Sequence, residues 1–484
     1  MAHTSLIDDP WFREIRKPSR YLGNEPNVLR KPEGSVDLRI GLAFPDVYEV
    51  GMSHQGLKIL YHLLNERPWL AAERVFCPWV DMESALRRHK RPLETLETGK
   101  PLGELDMIGF SLQHELCYTN VLTMLDLAGV PLLSTERNDS HPLVVAGGPA
   151  CFNPEPISGV FDAVLIGDGE KGALEICRVL RRRVRSGIPS RRKDILLELS
   201  DIPGVYIPSF FSPRYRSDGG IQCIDQLVPG YGPVRKALIP NLEASPFPAE
   251  QVVPYAEPVH DRLSVEIARG CTRGCRFCQA GMIYRPVRER PLGAVLRHVD
   301  EGLRRTGYEE VSLLSLSSGD YSGIGSLIHR LMDRQSGNKV AVSLPSLRID
   351  SLDRAWFEEI KRVRKTGFTL APEAGSDRLR RIINKNLTNS GILRTAEAVY
   401  AAGWNLVKLY FMIGLPGETP EDLEELIRLC RKVARLSGSG GRRPRLHVSV
   451  ATFVPKSHTP FMWDPQLSIE ESKKRIQTIQ ERLR

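Results

Sequence analysis

The sequence has no apolar run long enough to cross a bilayer, and its first twenty residues carry charges throughout with no apolar core. A helical span needs roughly twenty consecutive apolar residues, and a secretory leader needs an apolar stretch behind a basic start. The chain is therefore expected to be cytoplasmic, with no membrane partner. A disulfide framework is also missing: nine cysteines, an odd number, are spread over 484 residues, unlike the dense cysteine spacing of small secreted scaffolds. Aromatics are scarce at 7% and absent from the basic clusters Arg181-Arg-Arg-Val-Arg185, Arg191-Arg-Lys193 and Arg442-Arg443, where much of the net charge of +9 gathers. Single-stranded nucleic-acid surfaces interleave aromatics with cations so that bases stack. The clusters read instead as solvated helix ends and loops, and nucleic acid is the lesser expectation among partners.

What is present is organised around one stretch, Ala268-Arg-Gly-Cys271-Thr-Arg-Gly-Cys275-Arg-Phe277-Cys278-Gln-Ala-Gly281. It follows an alternating segment, Leu263 to Ala268, that reads as a strand. Three thiols on one glycine-punctuated loop suit a metal centre, because thiolates are good ligands for iron–sulfur clusters and for zinc. A closed structural zinc site needs four ligands. None follows at a suitable spacing, since after Cys278 the next cysteine is Cys430 and the next histidine is His298. Three thiolates on a four-iron cubane would leave one iron open to an exogenous ligand.

Cys-x3-Cys-x2-Cys with Phe277 before the third cysteine resembles the signature of the radical S-adenosylmethionine superfamily. The resemblance implies a [4Fe–4S] cluster on Cys271, Cys275 and Cys278. It also implies S-adenosylmethionine chelated at the open iron and an external one-electron donor. The last 224 residues support it with six strand–helix units, beginning at Leu263, Val311, Val340, Phe368, Leu406 and Leu446. Six units match the family's partial (β/α)6 barrel; an eight-unit barrel needs more chain. The strand ends carry further likenesses to the family's cofactor motifs. Ser318-Gly319-Asp320 resembles the motif that holds the methionine ammonium, for which a carboxylate is an acceptor-only partner. Pro372-Glu373-Ala-Gly-Ser376 resembles the ribose and carboxylate motif. Gly414-Leu-Pro-Gly-Glu418 and Phe453-Val-Pro455 resemble segments flanking the adenine. Pro455 to Trp463 is similar to members related to methylthiotransferases, whose second set of clustered cysteines is not found upstream.

Before residue 261 the chain reads as an extension (1–36), a Rossmann-like parallel-sheet domain (37–184) and a proline-rich connector (185–260). Short apolar strands ending in glycine alternate with helices, which implies right-handed crossovers and a ligand at the carboxyl ends of the strands. Asn120 reads as a helix N-cap and Gly129 as the residue after that helix. This arrangement resembles the cobalamin-binding module of cobalamin-dependent radical enzymes. The likeness rests on Ser111, on Gly147 and Gly148, and on Gly167 and Gly169. The cobalt-ligating pattern Asp-x-His-x-x-Gly is absent; Glu49-Val-Gly-Met-Ser-His54-Gln-Gly56 stands in its place, and His54 reads as a capping or surface residue. The overall expectation is an α/β enzyme that cleaves S-adenosylmethionine to a 5′-deoxyadenosyl radical, with cobalamin-dependent methyl transfer to a substrate carbon. The alternatives are radical chemistry without cobalamin, or an RNA-associated iron–sulfur module. No catalytic acid, base or substrate-selecting residue is singled out.

Overall fold

A computed structural model describes residues 6–187, 191–335, 337–343, 368–438 and 444–484. The chain forms two compact units. The first comprises Met1–Pro240, Ala244–Asp261 and Arg304–Thr306, and the second Asn241–Glu243, Arg262–Leu303 and Gly307–Arg484.

The first unit is built on a six-stranded sheet: β1 (Leu38–Phe44), β2 (Leu70–Phe76), β3 (Met107–Ser111), β4 (Leu143–Gly147), β5 (Ala163–Leu165) and β6 (Val205–Tyr206). The order is β2-β1-β3-β4-β5-β6, with the first five strands parallel and β6 antiparallel to β5. Helices Gln55–Asn65, Val80–His89 and Tyr118–Leu127 make crossovers between parallel strands, and Gly169–Ser186 follows β5. Every residue of β1 and β2 is buried, as expected for a parallel sheet covered on both faces. That includes Arg74, whose guanidinium lies between Glu25 (3.0 Å) and Glu97 (2.6 Å), while Arg39 pairs with Glu73. The strand order turns back between β1 and β3, which opens a crevice at their carboxyl ends.

Local departures from the sequence reading have physical causes. The third crossover helix starts at Tyr118, so Asn120 lies inside it. Its amide caps nothing and donates to the Pro45 carbonyl at 3.0 Å. Gly129 does follow the helix, with φ of 67°. Of the short apolar run Phe161–Gly167 only Ala163–Leu165 is strand, because Asp162 turns its carboxylate to the Val144 N–H (2.7 Å), Arg137 and Arg192. The proline-rich stretch adds β6 to the sheet, contributes the helix Arg192–Ser200, and forms a hairpin of β7 (Phe211–Tyr215) and β8 (Ile221–Gln226). The basic clusters are largely neutralised: Arg181 pairs with Asp37, Arg182 and Arg183 with Glu198, Arg191 with Asp194. Arg442 and Arg443 lie outside the described residues.

The second unit begins with β9 (Leu263–Glu266) and a small antiparallel ribbon of β10 (Ala268–Arg269) and β11 (Arg288–Glu289). Next come β12 (Glu310–Leu314), β13 (Ala341–Ser343), β14 (Phe368–Glu373), β15 (Leu406–Ile413) and β16 (Arg445–Thr452). They form two parallel sheets, β13-β12-β9 and β14-β15-β16. Helices Leu292–Thr306, Ile324–Gln335, Asp377–Ile382 with Asn389–Ala401, Pro420–Ala434 and Ile469–Leu483 follow the strands. The helix expected at 352–363 lies outside the described residues. Two N-termini are built as the sequence implies: Thr419 and Asp422 form a reciprocal capping box, and the Ser468 hydroxyl accepts from the Glu471 N–H, each satisfying orphan donors of a first turn.

Candidate cluster and cofactor site

The cysteine loop leaves the end of β9 through a turn that only glycine permits. Gly270 has φ of 92°, and a Cβ there would lie 2.7 Å from the carbonyl oxygens of both Tyr284 and Pro286. The β10–β11 ribbon closes the base of the loop. Its far side is held by the chain after helix Asp377–Ile382. Asn384 donates its amide to the carbonyls of Gly274 (2.9 Å) and Arg273 (3.3 Å), and the Arg276 N–H donates to Ile383 at 3.0 Å. All three thiols are half-buried. The Cys278 sulfur accepts from the Gly281 N–H at 3.4 Å, and the Cys271 sulfur accepts from the Arg273 N–H at 3.5 Å. Burial pushes the Cys278 thiol up, and the neighbouring sulfurs Cys275 and Cys271 add to the rise. Bound metal reverses such a penalty, because its charge stabilises the thiolates.

These residues fit a cluster. Backbone N–H groups already point at two sulfurs, as hydrogen bonds to cluster sulfurs do. Among the described residues no three His, Cys, Asp or Glu side chains converge to hold a single metal ion. A cubane spreads its ligands over separate irons, so neighbouring thiols need not meet at one point.

The expected S-adenosylmethionine contacts divide into two groups. Asp320, in the turn Ser318–Asp320 after β12, is drawn to the cysteine loop by Arg273, whose Nε lies 2.7 Å from one carboxylate oxygen while Nη2 bonds the other. Gly319 lies within that turn, and the Ser318 hydroxyl is fully buried against Ser315. Glu373 ends β14 at a bulge with φ of 67°, unusual for a side-chain-bearing residue, and pairs with the buried Lys385 at 3.0 Å. Phe277 packs with Phe453, Phe461 and Met412 in one apolar cluster, and Phe453 is buried in it edge-to-face with Phe461. Ser376 and Gly414 serve their own elements. The Ser376 hydroxyl caps helix Asp377–Ile382 and bonds Asp422, while Gly414 donates its N–H to Glu418 and would meet Leu467 with a Cβ. Arg273, Asn384 and Lys385 were not singled out from the sequence. Nothing in local spacing marks them, because each acts across a long chain separation.

At the crevice of the first unit, Ser111 and Gly147 are register partners at the ends of β3 and β4, both half-exposed. Gly148 and Gly167 face their own chain instead. A Cβ on Gly148 would lie 2.4 Å from the Leu112 oxygen, and one on Gly167 would lie 2.2 Å from the Ala237 oxygen. Ala237 donates its N–H to Ile166 and accepts from Asp168, so the proline-rich segment covers the end of β5. Gly169 opens helix Gly169–Ser186. Ser111 and Gly147 fit a ligand; Gly167 is occupied by protein. His54 is an N-cap. Its Nδ1 accepts from the Leu57 N–H at 3.1 Å, its ring packs on Phe44, and burial pushes its imidazole down to about 4.

Comparison with known proteins agrees with this geometry. Residues 265–430 match the Radical SAM superfamily, and residues 56–208 match the family of Radical SAM proteins, N-terminal. An uncharacterized protein of Methanocaldococcus jannaschii is 31% identical over 395 residues, covering 80% of this chain and 75% of that one. A tRNA-2-methylthio-N(6)-dimethylallyladenosine synthase of Cereibacter sphaeroides is 28% identical over 221 residues, 44% of this chain, and the match spans about half (48%) of that relative. Among solved structures, the radical S-adenosylmethionine methyltransferase TsrM of Kitasatospora setae, with cobalamin and a [4Fe–4S] cluster bound, superposes with a TM-score of 0.54. Its identity is 15%, covering 88% of this chain and 74% of TsrM. The apo cobalamin-dependent radical enzyme OxsB gives 0.52 at 14% identity, covering 81% and 51%. These two share the fold. Taken with the cysteine loop and the strand-end turns, the matches place the chain in the radical S-adenosylmethionine superfamily, as an enzyme.

Proposed function

We propose that Cys271, Cys275 and Cys278 hold a [4Fe–4S] cluster and that the chain uses S-adenosylmethionine and cobalamin to methylate an unactivated carbon of its substrate. The observation that carries the reading is the cysteine loop, with N–H groups already donated to two sulfurs and anchored from outside by Asn384. Held by these cysteines and reduced by an external one-electron donor, a cluster would supply the electron for reductive cleavage of the S-adenosylmethionine sulfonium. The chain's own residues bind and orient. Asp320 accepts the methionine ammonium when Arg273 releases it, Lys385 offers a cation beside Glu373, and Phe277 and Phe453 form an apolar wall. Such preorganisation aligns the reacting centres and keeps water out while the cofactors carry the chemistry. Cobalamin would supply the methyl group, and Ser111 and Gly147 are the residues offered to it.

The second reading, radical chemistry without cobalamin, is favoured by one observation: Ala237 fills the space that Gly167 would otherwise open. Sulfur insertion, the chemistry named for the tRNA-modifying relatives, would need further sulfur ligands. In the first unit Cys77, Cys117, Cys151 and Cys177 are each buried in apolar cores.

Anaerobic reconstitution with iron, sulfide and cobalamin, followed by desalting and addition of dithionite and S-adenosylmethionine, tests the reading. Retained corrinoid together with 5′-deoxyadenosine supports methyl transfer. Formation of 5′-deoxyadenosine without retained corrinoid selects the second reading. A full cluster with no 5′-deoxyadenosine overturns both.

A further inference from the structure

The sheet β14-β15-β16 has two unlike faces. On one, Val407, Leu409, Phe411 and Ile413 of β15 pack into the core beneath helices Asn389–Ala401 and Pro420–Ala434, with Val448 and Val450 of β16 against it. On the other, Lys408 is half-buried, whereas Tyr410, His447 and Ser449 are exposed. Register aligns these side chains into rows. Thr369, Lys408 and His447 are successive partners across the three strands, and Tyr410 pairs with Ser449 in the next row toward the carboxyl ends. Adjacent strands lie about 4.8 Å apart, so side chains on one face at matched positions converge on a single small group.

The charges on this face are one-sided. The one carboxylate carried by the three strands of this sheet, Glu373 of β14, is paired with Lys385. Among the described residues, Lys408 and His447 have no carboxylate partner. A lysine and a histidine flanked by two hydroxyls make a donor set without a counter-charge, as a phosphate or carboxylate requires. The rows also have a polarity. Met412, two residues beyond Tyr410 on the same face, packs in the cluster that includes Phe277 of the cysteine loop. At about 3.3 Å per residue, Lys408 lies about 13 Å along the strand from Met412, with Tyr410 midway.

We propose that Lys408, His447 and Thr369 form the anion-binding end of the substrate site, with Tyr410 and Ser449 receiving the substrate's body. The substrate class is an elongated small molecule with a phosphate or carboxylate at one end, a planar or ring-bearing middle over Tyr410, and its reacting carbon toward the cysteine loop. This rests on the radical enzyme reading, which supplies the direction in which the carbon must point.

The test uses the full, anaerobically reconstituted chain with its histidines carbon-13-labelled at Cε1, the His447 signal being assigned by its loss in His447→Gln. Inorganic phosphate, acetate, phenyl phosphate and benzoate are titrated at constant ionic strength. The expected result is a saturable shift of the His447 signal by phosphate or carboxylate, and the tighter probe names the anion. Tighter binding of the phenyl-bearing probe than of its parent anion is also expected. Lys408→Met should weaken phosphate or acetate at least tenfold. Tyr410→Leu should erase the advantage of the phenyl-bearing probe and leave the parent anion unchanged. No saturable shift, or an equal shift with Lys408→Met, overturns the site. Displacement of phenyl phosphate by bulk tRNA overturns the small-molecule class. Formation of 5′-deoxyadenosine by the unaltered chain is measured on the same preparation. Its failure bears on the radical reading alone, and a failed titration beside normal 5′-deoxyadenosine bears on the anion site alone.

Discussion

Strands β1 and β2 of the first unit and β15 and β16 of the second are all parallel, yet their burial is opposite. The first pair is buried at every position, so even its charged residues are enclosed and matched, as Arg74 is by Glu25 and Glu97. The second pair alternates: apolar residues face the helices, and Lys408, Tyr410, His447 and Ser449 stand on a face without such cover. A sheet enclosed on both sides offers a ligand only its strand ends, whereas a sheet left open on one side offers a whole face. The difference separates a scaffold with an edge site from a strand face able to hold a substrate.

Four experiments would break or sharpen that comparison, beginning with the largest effect. Cys275→Ala should leave the reconstituted chain without a stable cluster and without 5′-deoxyadenosine, while Cys177→Ala, on the helix Gly169–Ser186 that packs in the first unit's core, should keep both. Iron and sulfide per chain check this, and equal iron in the two variants would detach the cluster from the loop. Next, Arg74→Met strands two buried carboxylates and should cost about 3–5 kcal/mol, whereas Lys408→Met on the open face should stay within about 0.5 kcal/mol. Urea unfolding measures both, and similar costs would mean that the open face is not open.

The third effect depends on pH. The His54 imidazole is held neutral, well below its ordinary value, because burial disfavours its charge and its Nδ1 must accept from Leu57. The folded state therefore binds fewer protons than the unfolded chain. The contribution is present above the ordinary histidine value near 6.5 and is lost as pH falls from there toward about 4. A cap of this kind contributes about 1 kcal/mol. The urea midpoint should drop between pH 7 and pH 5 by more in the native chain than in His54→Asn, which keeps a capping acceptor that does not titrate in this range. Identical slopes would remove the capping assignment. The smallest effect is at Arg273. Exposed ion pairs contribute about 0.2–1 kcal/mol, so Arg273→Gln, by removing the Arg273 ion pair from Asp320, should tighten S-adenosylmethionine by up to about fivefold at equal cluster content. Equilibrium dialysis reads this, and weaker binding would make Arg273 part of the cofactor site.

Much of the site was legible locally. The three cysteines, the strand over Leu406–Ile413 and the capping box at Thr419 each depend on residues within one turn or one strand, where spacing alone sets geometry. Asn120 misled because a good capping residue can be drawn inside a helix by a distant acceptor, here Pro45. Gly148 and Gly167 answer a demand that no local pattern shows: a Cβ at either would run into the chain itself, at Leu112 and at Ala237.

By itself, then, the amino-acid sequence determined the α/β class, the order of strands and helices over most of the described residues and the spacing of the cysteine loop, because these follow from short-range periodicity and from thiol chemistry. Only the tertiary structure decided that Arg273 holds Asp320 and that Asn384 anchors the loop across 110 residues. It also decided that Ala237 fills the space beside Gly167, and that Thr369, Lys408 and His447 fall in one row. The physical reason is common to all of these: a contact between distant segments depends on how whole elements pack, and no local pattern of polarity records it.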